Sequence, residues 1–172
     1  MNWTCDGMSL ISLYVGNLAS KTPHTGQRCP RFTRRAKLGF SDRLYRRCTR
    51  WLAQPAVHHA LHDIWLGQAT TWLVSDYLLM PDHLHLFCAP YDLKFTIEDW
   101  MTFWKSRLSK TCHQAGRFQR AGFHHRLRGG ESYSQKWQYV RENPVRAGLT
   151  AKPEEWLYQG RVHEIRWHEP VK

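Results

Sequence analysis

Two rhythms of apolar residues run along this chain, and the change from one to the other marks out its elements. From Thr70 to Met80 the residues are β-branched and aromatic, and after Pro81-Asp82 the run His83-Leu84-His85-Leu86-Phe87 alternates with a period of two. This pattern predicts a strand, a tight turn and a second strand. Successive strand side chains point to opposite faces, so His83 and His85 share one face while Leu84 and Leu86 share the other. Helical spacing occurs on both sides of this hairpin. After Ser41, a plausible N-cap, Leu44, Cys48, Trp51 and Leu52 recur on one face, with arginines on the other. Pro55 suits the first turn of a following helix, whose stripe is Val57, Leu61, Ile64 and Trp65. His58 and His62 lie one turn apart there and read as a solvated helix face.

Thr96, with Asp99 three residues on, resembles a capping box and opens the longest predicted helix. Its stripe is Ile97, Trp100, Met101, Trp104 and Leu108. A short strand is expected from Phe123 to Arg128, stopped by Gly129-Gly130. Ser132 then caps a last helix, with Gln135 as its reciprocal partner. That helix is expected to end near Asn143, because Pro144 disfavours helical dihedrals in the residue before it. Tyr133, Val140 and Trp137 form its stripe. At about 100° per residue, Tyr139 falls roughly 130° from the centre of that stripe, with Asn143 one turn further on the same side. The N-terminal region is less patterned. Leu10 to Val15 has strand composition and ends at Gly16-Asn17, while Pro23 to Lys37 reads as a basic arm. The expected organisation is a divergent segment over residues 1–40, a catalytic core over 41–150 and a C-terminal tail over 151–172.

Composition narrows the partner. At 172 residues the chain suits one domain, and its formal net charge is +11 with a pI near 9.8. An anionic polymer is therefore the leading partner, with nucleic acid ahead of membrane. Nine tryptophans beside many arginines favour unpaired bases, which need stacking platforms. Five scattered cysteines form no C-x-x-C pair, which argues against a disulfide framework or a structural zinc site and for a reducing, cytoplasmic compartment. Leu10 to Val15 is too short to span a membrane and makes a poor signal peptide. The segment Leu13 to Leu18 also looks like the first motif of RNA-recognition domains, but the second motif is missing at the required distance.

The candidate chemistry lies in two places. A lone His-x-His is by itself most simply two half-buried imidazoles on a sheet surface. Joined to a tyrosine one helical turn from a carboxamide, in a basic chain, it suits phosphodiester cleavage by a tyrosine nucleophile. His83 and His85 would hold half of a divalent-metal site that polarises the scissile phosphate. Tyr139 would attack phosphorus, and Asn143 would add a neutral oxygen ligand favouring Mg²⁺ or Mn²⁺.

Met80-Pro81-Asp82-His83-Leu84-His85-Leu86 resembles the histidine–hydrophobic–histidine (HUH) motif of the IS200-like tyrosine transposases. Tyr139 to Leu149 resembles the tyrosine helix of their REP-associated branch. Trp104-Lys105-Ser106, Phe118 to Phe123 and His125 to Arg128 look like further landmarks, and the likeness spans roughly residues 30 to 168. The resemblance implies an α+β fold, an antiparallel sheet of ferredoxin-like or RRM-like topology with helices packed on it. It implies cleavage and rejoining of single-stranded DNA beside imperfect palindromic hairpins, through a 5′-phosphotyrosine, by a monomer or a homodimer. Carried over by position, His83, His85 and Asn143 are metal ligands and Tyr139 is the nucleophile. Lys105, Arg107, Arg120, Arg126 and Arg128 are candidate DNA contacts, Lys105 foremost. A domesticated hairpin-binding protein without catalysis is the alternative, and an RNA-binding module is a weaker third reading.

Overall fold

The computed structural model describes residues 10–15, 50–118, 123–126 and 132–166. The predicted helix after Ser41 falls largely outside them. Its last expected members, Trp51 and Leu52, are buried but lie in an irregular segment, where the Leu52 amide donates to the Pro81 carbonyl at 3.1 Å. That bond ties this segment to the hairpin turn.

The hairpin is β2 (Trp72–Leu79) and β3 (His83–Pro90), with Pro81-Asp82 as the loop and the Met80 amide donating to the His83 carbonyl at 2.8 Å. Between Val74 and Tyr77 the register shifts, because β2 carries one residue more than β3. Such a bulge leaves backbone groups without ladder partners, and the Ser75 and Val74 carbonyls instead accept from the Val162 and His163 amides. The chain thereby returns alongside β2 as β5 (Gln159–Arg161), in the stretch read from sequence as a tail. Arg161 clamps the buried Asp76 through Nε at 2.9 Å and Nη2 at 3.0 Å. A bidentate guanidinium compensates the desolvation of that carboxylate.

Among the described residues five strands form one sheet, ordered β4-β1-β3-β2-β5, with β1 at Leu10–Val15 and β4 at Phe123–Arg126. β2 is antiparallel to both β3 and β5, whereas β1 runs parallel to both β3 and β4. The sheet is therefore mixed, which corrects the expectation of an antiparallel one. Alternation within Leu10 to Val15 says which residues share a face, and that is the same whichever way the strand runs.

Helices cover both faces. α1 (Pro55–Gly67) and α2 (Ile97–Thr111) pack their predicted stripes on one face, against Val74, Tyr77, Leu84, Leu86 and Cys88. Thr96 caps α2 by accepting from the Asp99 amide at 3.1 Å, while its hydroxyl reaches the Asp99 carboxylate at 2.7 Å. His58 is not on a solvated face. Its Nε2 lies 2.7 Å from the Tyr77 hydroxyl, because α1 packs directly over β2 at that point. Burial lowers the His58 pKa and pushes that of Tyr77 up to about 12. His62 remains at the surface beside Asp63. No described helix is long and apolar enough to cross a membrane.

Candidate functional site

The opposite face of the hairpin carries a smaller core of Leu78, Met80, Phe87, Tyr133 and Val140, flanked by Trp137, Leu149 and Trp156. It fastens α3 (Tyr133–Arg141) to the sheet. Phe87 meets Tyr133 and Trp137 edge-on, with ring centroids 5.1 Å and 5.6 Å apart. Ser132 caps the helix by accepting from the Gln135 amide at 3.3 Å. Pro144 does not terminate helical structure here. α3 stops at Arg141, and α4 (Asn143–Arg146) follows at once with Pro144 in its first turn, where its missing N–H costs nothing. Gly148, at φ 67°, then closes the turn, the Leu149 amide donating to the Pro144 carbonyl. The sequence reading ended the helix near Asn143; in the structure Asn143 instead begins the new turn.

This junction sets Asn143 over β3. Its Nδ2 lies 2.9 Å from His85 Nε2, joining residues 58 apart in sequence. The amide donates, so Nε2 accepts and the neutral imidazole carries its proton on Nδ1. His85 is only 7% exposed, and its pKa is lowered to about 3, by burial first and by the charges of His83 and Arg146 after that. It is therefore a neutral ligand-type imidazole throughout the ordinary pH range. His83 stands edge-on to it, ring centroids 4.9 Å apart. Its Nδ1 donates to the Asp82 carboxylate at 2.7 Å. That hydrogen bond is the main reason the Asp82 carboxyl is held below its ordinary pKa. A carboxylate behind a histidine fixes the ring and its tautomer in the way metal sites use. The sequence reading took Asp82 only as a turn residue.

Tyr139 is 62% exposed on α3. It is not isolated. The Arg146 guanidinium lies over its ring at 4.4 Å, and Arg146 Nη2 donates both to the Tyr139 carbonyl at 2.7 Å and to Asn143 Oδ1 at 2.5 Å. A continuous set of contacts thus runs Tyr139–Arg146–Asn143–His85–His83–Asp82. Arg146 was not singled out from the sequence, although its position seven residues past Tyr139 and three past Asn143 puts it within reach of both.

Lys105 and Arg107 are not brought here. Lys105 belongs to α2 on the far face of the sheet, half-buried, with Nζ 5.9 Å from the Phe118 ring centroid. Burial lowers its pKa to about 8. Arg107 lies on the same helix, 5.3 Å over the Phe103 ring. Arg126 ends β4, at the sheet edge away from β2, and Arg120 and Arg128 lie outside the described residues.

Among the described residues no three His, Cys, Asp or Glu side chains gather into a metal-binding group. The donors gathered here are two imidazoles and one carboxamide, with His85 Nε2 accepting from Asn143 Nδ2 and Asn143 Oδ1 accepting from Arg146. Three such protein ligands, fewer than a closed zinc site uses, fit a divalent cation that keeps water or phosphate ligands once those two hydrogen bonds give way. No protein-family model matches the chain, and neither curated proteins nor solved structures provide a match.

Proposed function

We propose that this chain is a metal-dependent single-stranded DNA endonuclease and strand transferase of the REP-associated tyrosine transposase type, with the ferredoxin-like core of that family. The observation that carries the reading is the hydrogen bond between His85 and Asn143, which unites the two separately recognised motifs at one point. The strand order β4-β1-β3-β2 is compatible with that core, although β1 runs in the other direction. The net charge of +11 supplies the attraction for a polyanion.

In this reading Tyr139 Oη attacks the scissile phosphorus as its phenol proton is lost. The bond to the 3′-oxygen breaks, that oxygen takes up a proton, and a 5′-phosphotyrosine remains. Attack by a 3′-hydroxyl on the phosphotyrosine reverses the step and rejoins strands. His83, His85 and Asn143 would hold Mg²⁺ or Mn²⁺, which when bound offsets charge on the phosphate oxygens. Asp82 holds the His83 ring in place. Tyr139, being exposed, is open to a strand arriving from solvent.

Incubation with single-stranded DNA bearing an imperfect palindromic hairpin, with Mn²⁺, tests the proposal. A tyrosine-linked 5′ product is expected from the native chain and none from Tyr139→Phe. A second reading, hairpin binding without cleavage, is favoured by one detail: Asn143 Oδ1 is occupied by Arg146 and its Nδ2 by His85, so the protein alone satisfies the carboxamide. It predicts salt-sensitive binding without nicking, unchanged by His83→Ala.

A further inference from the structure

Arg146 is the residue of this constellation that the metal reading does not use. Its Nη2 donates to Asn143 Oδ1, the oxygen that would complete a cation's protein ligands. The same guanidinium covers the Tyr139 ring at 4.4 Å and donates to that residue's carbonyl. Arg146 is exposed and lies in a four-residue turn, so no packed core holds its side chain there.

We propose that Arg146 is a resident counter-cation of the site, competing with a divalent metal for Asn143 and yielding that position when an anionic phosphodiester draws the guanidinium away. This rests on the metal-dependent reading above. A single and a double positive charge held about 6 Å apart in watery surroundings repel strongly enough to weaken binding roughly ten-fold. An arriving phosphate relieves the repulsion and accepts the guanidinium's paired N–H groups. Cation and DNA then load cooperatively, each improving the other's affinity by the same factor. The device keeps the metal weakly held until there is a strand to cut.

The test is Mn²⁺ affinity, read by the electron paramagnetic resonance signal of the unbound ion, in a Tyr139→Phe background that prevents turnover. Arg146→Gln should tighten Mn²⁺ binding about ten-fold, the opposite sign from a damaged site, and Arg146→Lys, which keeps the charge, should change it much less. A single-stranded hairpin oligonucleotide should tighten Mn²⁺ binding when Arg146 is present and do so less in the Gln variant. His85→Ala should abolish the binding in every case. If Mn²⁺ binds in a His85-dependent way but Arg146→Gln leaves it unchanged or weaker, the Arg146 proposal is overturned while the metal reading stands. Equal tightening by Gln and Lys, or equal help from DNA with and without Arg146, also overturns it. If neither form binds Mn²⁺ through His85, the metal reading falls and takes this proposal with it.

Discussion

Lowering the pH should destabilise this fold through one residue in the range where most of its carboxylates are still ionised. His85 is 7% exposed and its pKa is depressed from 6.5 to about 3. In the unfolded chain the same imidazole takes a proton near 6.5, so between the two values the unfolded state binds more protons than the native one. Stability is therefore fully present above pH 6.5 and is lost as pH falls toward 3. From pH 7 to pH 5 the loss attributable to His85 is about 2 kcal/mol, at about 1.4 kcal/mol per unit of separation. This figure does not depend on how deep the native value lies, because a native pKa of 3 or of 4 leaves the imidazole neutral at pH 5. The assay is urea denaturation at a series of pH values, comparing the native chain with His85→Leu, which fills the space without a titratable group. His58 is also lowered by burial and adds a slope of the same sign to both proteins, so the difference between them isolates His85. The variant's curve should be flatter by about 2 kcal/mol over that interval. Parallel curves would show that His85 is solvated in the native protein, and with it would go the picture of a neutral ligand buried beneath Asn143.

Three further outcomes follow from the same geometry. Asp82→Asn weakens the hydrogen bond that orients His83 and should lower Mn²⁺ affinity about ten-fold or more, measured by calorimetric titration, with little change in thermal stability. Phe87→Ala empties the contact that seats α3 on the sheet, so urea denaturation should show a loss of about 3–5 kcal/mol; a loss below 1 kcal/mol would mean that α3 is not fastened there. Ser132→Ala removes the cap of α3 and should cost about 1 kcal/mol in the same assay, while Ser132→Asp should restore it.

Much of the local structure could be read from spacing alone. The stripes of α1 and α2 occupy the residues that their periodicity indicates, and Thr96 and Ser132 accept the amide hydrogen bonds that their positions suggest. The hairpin turns at Pro81-Asp82, and its two histidines share a face. These features depend on residues a few positions apart, whose relative placement is set by backbone geometry. Tertiary structure decided the rest. Periodicity says that a strand has a covered face, not which neighbour it pairs with or in which direction, so the parallel setting of β1 and the edge strand β5 were not legible. It says that His58 lies on a helix flank, not that Tyr77 stands opposite. The same limit applies at the site. Tyr139 and Asn143 fall on one side of a helix by arithmetic, but the meeting of Asn143 with His85, and the place of Arg146 between Asn143 and Tyr139, depend on α3 resting over Phe87. Lys105, a candidate DNA contact by sequence, lies on α2 across the sheet from the histidine pair, because a basic residue's position along a helix does not reveal which face of the sheet that helix covers.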